Sequence, residues 1–408
     1  MNNHYVIRGK KLVTVSQTGT IENGALVVQN GKISDVGKWQ DMKRNYAHLP
    51  ILDYRDFVIT PSLVDCHTHL LEFAPTSLYP VTRETHFMAA KGILFQALVS
   101  GITALGEQIC GHPNLDFSID DYREMVRDLP IDISFAGTNI SIGFEELTHF
   151  TSITKSRPVA REELLDPRII INMAKQSDYP GEHIFINATP ANFTPNQVPR
   201  AGELVYSLDE IKQFVTVFHH YHKQIGAHVG GEMEIKLAID AGIDVLHHAH
   251  GISDELISEA FKKGVKIIAT PLGGTHLKPN SPEDILKLVK HNVHVSIGTD
   301  SYLPPHEEAK WLPFENQTLR GPEAFMLLAQ PAMQFLKKHG YNENEILALI
   351  TRNPAEILQK GNRFGSLAPG MEAHFLVAEG IPGLEITDIN AIKQVYFNGN
   401  KVIDRLMS

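Results

Sequence analysis

Two histidines separated by a single residue follow an apolar, strand-like run in the stretch PSLVDCHTHL, residues 61–70. Residues two apart on a strand share a face, so His67 and His69 can both reach one ion. Imidazole nitrogen is a ligand that suits zinc, iron and manganese. A lone pair of this kind can equally be two surface histidines on a loop, so a metal site requires further ligands elsewhere in the chain.

Further metal-competent side chains stand at the ends of later apolar runs. His228 ends QIGAHVGG, and Asp300 ends VHVSIGTDS. His248 lies in GIDVLHHAHG, with His247 and His250 beside it. In a barrel of parallel strands, the carboxyl ends of the strands meet at one rim. The pattern therefore predicts a metal site with three or four protein ligands and an open position that activates a water molecule.

The middle of the chain alternates short apolar runs with helical patterns. Helix starts are well marked, for example Ser281 before Pro282 and two acidic residues. This alternation predicts an α/β fold built as a (β/α)8 barrel rather than an open doubly wound sheet. Strands are predicted at about 62–66, 102–106, 131–137, 183–188, 225–229, 244–248, 265–270 and 293–299.

Both ends of the chain carry β-branched runs separated by Asn-Gly, Gly-Lys and Gly-Asn turns, which is typical of hairpins. Chain termini often lie close together in a domain. We therefore expect residues 1–58 and 360–408 to form a composite β-sandwich beside a barrel over residues 59–359.

The composition excludes several classes of partner. The net charge is −10, and no long basic run suggests a nucleic acid or an anionic membrane. The chain has two cysteines and no stretch of 18 apolar residues. These features predict a cytoplasmic protein that acts on a small molecule.

Several motifs in order resemble the amidohydrolase superfamily, the metal-dependent hydrolases built on a distorted (β/α)8 barrel. PSLVDCHTHL resembles its first-strand motif, and GTD at 298–300 resembles its eighth-strand motif. ITRNPAEILQK followed by GSLAPGMEAHFLVAEG is similar to its exit from the barrel. The segment YSLDEIKQF…IGAHVGG…AIDAGIDVLHHAHGISDE resembles the branch of imidazolonepropionase-like proteins and Xaa-Pro dipeptidases.

The resemblance implies a ligand set and a homo-oligomer. His67, His69, His228 and Asp300 would be metal ligands. His248 would bind a second metal ion or contact the attacking water and the substrate. The dipeptidase branch carries a bridging lysine on the fourth strand, where this chain reads HIFINATPA and has Phe185 at the lysine position. We therefore expect one divalent ion, zinc or else iron or manganese, and a second ion at His248 is disfavoured.

The hydrolase hypothesis assigns chemistry to two of these residues. Asp300 would take a proton from the attacking water as general base and return it to the leaving nitrogen. His248 would hydrogen-bond the water or the developing oxyanion. The bond cleaved would be a C–N bond in an amide or a cyclic amide. Loop residues expected to contact the substrate are Arg83, Gln108, His276, Tyr302 and His306.

Two alternatives stay open. A deaminase would use the same metal site together with a proton-shuttling glutamate three residues after the fifth-strand histidine. That position is Gly231, and the acid arrives one residue later as Glu232, where it can also begin a helix. A non-catalytic ligand-binding barrel is the second alternative, although a degenerate enzyme would be expected to have lost at least one ligand.

Overall fold

The computed structural model describes residues 4–72, 82–111, 117–154, 157–189, 191–314 and 316–406. The strands are β1 His4–Val13, β2 Thr20–Glu22, β3 Gly24–Gln29, β4 Lys32–Lys38, β5 Ile51–Pro61, β6 Leu63–Thr68, β7 Ile102–Ile109, β8 Asp132–Gly137, β9 Asn139–Gly143, β10 Leu147–Thr151, β11 Glu182–Phe185, β12 Gly226–Gly230, β13 Val245–His250, β14 Lys266–Ala269, β15 Val295–Ile297, β16 Phe375–Ala378, β17 Ile392–Phe397 and β18 Asn400–Asp404. The helices are α1 Trp39–Asn45, α2 Arg83–Val99, α3 Ile119–Val126, α4 Arg161–Leu164, α5 Pro167–Gln176, α6 Leu208–His220, α7 Glu232–Ala241, α8 Asp254–Lys263, α9 Pro282–Lys290, α10 Phe325–Lys338, α11 Glu343–Leu347 and α12 Arg352–Ile357.

Eight strands of the middle region match the eight predicted positions to within a few residues, and helices separate most of them. β6, β7 and β8 pair in parallel, and so do β11, β12, β13, β14 and β15. The third strand of the barrel region connects these two groups of parallel strands. Its first half, β8, pairs with β7, and its second half, β9, pairs with β11. The predicted α/β class and barrel-like strand order are confirmed.

Helix starts in the barrel follow the predicted capping chemistry. The Ser281 hydroxyl accepts from the backbone of Asp284, and the Asp284 side chain bonds back to Ser281. The Ser253 hydroxyl caps α8 by accepting from the backbone N–H of Leu256, and Gly264 ends the helix in the left-handed conformation. Caps of this kind fix where a helix begins and ends. They therefore also limit where the next strand begins and which of its side chains reach the rim.

The two ends of the chain meet in one β domain. Its eight strands form a single hydrogen-bonded sheet in the order β18-β17-β16-β5-β1-β3-β4, with β2 paired to β1, so the pairing is not divided between two sheets. β5 joins the two halves because it pairs in parallel with β1 and antiparallel with β16. The boundary expected at residue 58 falls within β5, which continues to Pro61.

Apolar side chains fill the space between the barrel strands and their surrounding helices, and a smaller cluster packs on the terminal sheet. Among the described residues, no helix is long and apolar enough to cross a membrane.

Candidate metal centre

The first and eighth strands bring His67, His69 and Asp300 together. The Nε2 atom of His67 lies 3.1 Å from Asp300 Oδ1, and that of His69 lies 3.6 Å from the same oxygen. The backbone holds this arrangement, since the Asp300 N–H donates to the His67 carbonyl over 3.1 Å. Buried Asp65 adds a second link by accepting from the backbone of His67 and from both donors of Thr299.

Glu182, the first residue of β11, lies at the middle of the cluster. One carboxylate oxygen, Oε1, is 2.6 Å from His228 Nδ1 and 2.6 Å from His248 Nε2. The other oxygen, Oε2, is 3.2 Å from His69 Nε2 and 3.8 Å from His67 Nε2. A single buried carboxylate therefore faces two separate pairs of imidazoles, one pair with each oxygen.

Glu182 was not predicted from the sequence as a site residue because β11 is irregular. Its pairing with β12 shifts register between Glu182 and Ile184. Regular alternation would place His183 and Phe185 on one face. Instead His183 packs on Phe218 of α6, whereas Phe185 stacks on the ring of His228 at 3.9 Å. An irregularity of this kind re-aims side chains, so the acidic residue of the fourth strand stands three positions before the one where it was sought.

The backbone at the site is strained. His248, Ala249 and Asp300 all have positive φ, at 70°, 48° and 53°. Residues with a Cβ are uncommon in this region, and each costs about 1–3 kcal/mol. Such strain clusters at functional sites, and here it aims His248 and Asp300 at a common point.

The cluster is electrostatically prepared for positive charge. Burial would raise the pKa of Glu182, but the imidazoles of His228, His67 and His248 hold it well below its usual range. Burial acts on Asp300 in the same direction, and His67 keeps its pKa below the ordinary value. Burial would lower the pKa of His69, but Glu182 and Asp300 raise it to about 9. Both carboxylates therefore stay ionised in a buried site that stabilises cations.

The donor set fits divalent metal ions. The ligand atoms of three groups each lie within 4.8 Å of one another: His67, His69 and Glu182; Glu182, His228 and His248; and His67, His248 and Asp300. His228 Nδ1 and His248 Nε2 are 2.9 Å apart while both face one carboxylate oxygen. Converging imidazoles and carboxylates are the donors that zinc, manganese and iron take.

Gln108 lies at the end of β7 and holds Glu182 in place. Its Oε1 accepts from the Glu182 backbone N–H, and its Nε2 lies 3.5 Å from Glu182 Oε2. The residue is fully buried. The sequence predicted that Gln108 contacts the substrate. In the structure its side chain contacts Glu182 and supports that carboxylate.

Arg83 and Tyr302, two other residues expected to contact the substrate, have partners of their own. Arg83 Nη1 pairs with Asp121 at 2.7 Å, and its guanidinium is 5.0 Å from the ring centroid of Phe87. The Tyr302 hydroxyl donates to Gln96 on α2 over 3.4 Å. These contacts engage Arg83 at the start of α2 and direct Tyr302 toward that helix, so neither is placed in the metal cluster.

His276 and His306 retain free polar atoms. His276 Nδ1, His306 Nε2 and also His228 Nε2 are buried and have no hydrogen-bond partner among the residues that the structure describes. Burial lowers the pKa of His276 to about 4, and the neighbouring His228 and His306 add to this effect. Buried polar atoms normally have partners, so these imidazoles are candidates to bind a substrate.

The loop after β14 covers the cluster. Gly274 has φ of +120°, and a Cβ placed there would lie 2.3 Å from His248 Cε1 and 2.4 Å from Asp300 Oδ2. Only glycine permits this approach. Asn192 fixes the loop by accepting from the Gly274 N–H over 2.6 Å and donating to the Pro304 carbonyl over 2.6 Å. The loops after the fourth, seventh and eighth strands are thereby joined above the site.

Two residues weighed in the sequence analysis lie outside the cluster. Glu232 is exposed and begins α7, where an acid favours the helix dipole. His250 is buried, and its nitrogens contact the hydroxyls of Thr275 and Thr270 at 2.8 and 3.2 Å. Neither belongs to the metal-competent groups found among the described residues.

Residues 58–405 match the family model for the amidohydrolase family. The chain belongs to that family, as the first- and eighth-strand motifs indicated.

Two of the sequence matches are short segments, whereas the structural match spans nearly the whole chain. A 74-residue segment is 43% identical to imidazolonepropionase from Pyrobaculum arsenaticum, covering 16% of this chain and 19% of that relative. A 72-residue segment is 32% identical to a 5-methylthioadenosine/S-adenosylhomocysteine deaminase from Thermodesulfovibrio yellowstonii, covering 17% and 16%. These matches span less than a fifth of the length of either relative. The structure of a Xaa-Pro dipeptidase with bound methionine superposes with a TM-score of 0.72 at 16% identity, over 98% of this chain and 99% of that chain.

Proposed function

We propose that the protein cleaves a C–N bond, in an amide or a cyclic amide of a small molecule, and that its site would hold two divalent ions with Glu182 as a ligand to both. The observation that carries this proposal is the position of the Glu182 carboxylate, which presents one oxygen to His228 and His248 and the other to His67 and His69. Asp300 lies beside the pair formed by His67 and His69, because its Oδ1 is 3.1 Å from His67 Nε2. This proposal replaces the single ion expected when Phe185 was taken as the bridging position.

Zinc is the proposed metal, with manganese and iron as alternatives, because imidazole and carboxylate donors suit all three. A divalent ion at such a site lowers the pKa of a water molecule toward neutrality and polarises the group under attack. Glu182, His67, His69, His228, His248 and Asp300 are the residues proposed to hold the ions.

Asp300 is the proposed general base and acid. Its Oδ1 faces His67 and His69, whereas Oδ2 lies beneath Gly274, where the covering loop leaves no room for a Cβ. The ionised carboxylate can take a proton from the attacking water on this side and pass it to the leaving nitrogen. His248 takes the ligand role in this proposal, because its Nε2 faces Glu182 at 2.6 Å and its Nδ1 contacts the Thr270 hydroxyl at 2.7 Å.

Substrate recognition is proposed for His276 and His306, whose buried unpartnered nitrogens offer hydrogen bonds to a polar substrate. His276 belongs to the loop after β14 and His306 to the segment after β15. The small-molecule substrate, a cytoplasmic location and a homo-oligomer all remain proposals.

A variant at Glu232 distinguishes the proposed hydrolase from the deaminase alternative. We expect Glu232→Gln to change kcat by less than about threefold, because Glu232 is exposed at the start of α7 and lies outside the metal-competent groups of the described residues, where it cannot act as an acid–base catalyst. Steady-state kinetics on the substrate that the screen below identifies would measure this. A loss of about 100-fold or more, the range of an acid–base catalyst, would instead favour deamination.

The proposed function is tested by a substrate screen on the zinc-loaded protein. N-acyl amino acids, dipeptides and cyclic amides form the hydrolase panel, and amino-substituted nitrogen heterocycles form the deaminase panel. Product amine and released ammonia are measured separately, with a His67→Ala/His69→Ala variant as the control. We expect amide turnover that is lost in the double variant. Ammonia release from the heterocycles alone would overturn C–N cleavage of amides, and no turnover in either panel would favour a non-catalytic barrel.

A further inference from the structure

His247 is a buried histidine that the proposed ligand set does not use. It lies on β13 directly before His248 and is fully buried. Each ring nitrogen has one close contact. Nδ1 is 2.7 Å from Nδ1 of His67, and Nε2 is 3.0 Å from the backbone carbonyl oxygen of Pro180.

These two contacts fix the direction of every hydrogen bond between Pro180 and His67. A backbone carbonyl only accepts, so Nε2 of His247 carries the hydrogen. A neutral imidazole has one N–H and one accepting nitrogen, so Nδ1 of His247 accepts. Nδ1 of His67 is then the donor, which leaves Nε2 of His67 available as a ligand atom.

The available nitrogen is the one that faces the other ligands. His67 Nε2 lies 3.1 Å from Asp300 Oδ1 and 3.8 Å from Glu182 Oε2. An unprotonated nitrogen and a carboxylate oxygen are both electron-pair donors, so a cation between them makes their approach favourable.

The neighbouring strands are shaped to admit this contact. Gly226 begins β12, and a Cβ placed there would lie 2.7 Å from His247 Nε2 and 2.1 Å from the Gly181 carbonyl oxygen. A larger residue would displace the ring from Pro180. The absence of a side chain at this position therefore preserves the path from Pro180 through His247 to His67.

We propose that His247 is a positioning residue that fixes the tautomer and ring orientation of His67, so that Nε2 of His67 faces the metal centre. This inference rests on the proposed function, because it takes His67 as a metal ligand. Outer partners of ligating histidines typically contribute 10–100-fold to metal affinity. Here a second histidine anchored on a backbone carbonyl takes the place that a carboxylate or carbonyl usually fills.

The test compares His247→Asn with His247→Leu in the full chain. The two side chains have nearly the same shape, but only asparagine returns an acceptor close to the former Nδ1 position. Zinc affinity is measured on metal-stripped protein by competition with a chromophoric chelator, without substrate. Thermal unfolding of the metal-free forms reports packing separately.

We expect His247→Leu to weaken zinc binding by about 10–100-fold and His247→Asn to stay within about threefold of wild type. Equal zinc affinity in wild type and both variants would overturn the proposal, and so would an equal loss in both, which would indicate packing alone. If the leucine variant does not fold, His247→Gln replaces it, since glutamine reaches Pro180 but provides no acceptor near Nδ1. Failure of wild type to bind zinc would instead overturn the proposed function and this inference with it.

Discussion

Glu182→Gln is expected to lower bound metal from two ions per chain to one and to reduce kcat/KM by about 1,000-fold or more. Glutamine keeps the volume of the side chain but removes the charge that faces four imidazoles. Loss of one ion forfeits several kcal/mol of charge stabilisation in the transition state, and each 1.36 kcal/mol corresponds to a factor of ten. Elemental analysis and kinetics on the same preparation measure both effects.

His183→Asn is the matched control for this prediction. His183 follows Glu182 in β11 and is equally buried, but its Nδ1 contacts the Gly137 carbonyl at 2.8 Å and its ring packs on Phe218. This variant should keep the wild-type metal content. Two ions per chain in Glu182→Gln, with kcat/KM within tenfold of wild type, would contradict the bridging role.

The second large effect is expected at Asp300. Asp300→Asn should lower kcat by about 1,000-fold, within the range of a lost general acid–base group, while KM changes by less than about threefold. Asparagine retains an oxygen at the ligand position but cannot carry a proton between the water and the leaving nitrogen. Kinetics at saturating zinc separate this effect from weaker metal binding.

Glu323→Gln provides the control in the segment that follows the same strand. The Glu323 carboxylate accepts from Gln96 Nε2 and from the Gly321 N–H, and it makes no contact with the imidazole cluster. Its kcat should stay close to wild type. If Asp300→Asn at saturating zinc retained more than a tenth of the wild-type kcat, another group would have to be the base.

The barrel was predictable because its signals are local. The apolar runs are short, and most are followed by a helix whose start can be marked in sequence, as at Ser253 and Ser281. Four of the six proposed ligands stand at strand ends with recognisable spacing, so resemblance to a family was enough to single them out. In the structure these four residues and His248 are distributed over three overlapping groups of metal-competent side chains, two of which contain Glu182.

Contacts that depend on irregular backbone were not predictable. The shift in β11 moves the fourth-strand acid to Glu182, whereas an alternation argument had directed attention to Phe185. The contact between Gln108 and Glu182 depends on the same strand, because the side-chain oxygen Oε1 of Gln108 accepts from the backbone N–H of Glu182. The spacing of residues in a motif cannot reveal a register shift that only strand pairing determines.

Long-range pairing also determined the terminal β domain. Turn signals located the hairpins at both ends of the chain, but they do not state which strands are neighbours. β5 lies between β1 and β16, so strands from the two ends form one continuous sheet. The ion pair of Arg83 was not predictable for a similar reason, since its partner Asp121 is 38 positions away in sequence.

The number of metal ions per chain tests the central claim most directly. Wild-type protein, stripped with chelator and titrated with zinc, is measured by elemental analysis after removal of free metal, beside Glu182→Gln and His183→Asn. The bridged centre predicts two tightly bound ions in wild type and in His183→Asn, and one in Glu182→Gln. One ion in all three proteins would contradict the bridging role of Glu182 and restore the single-ion site.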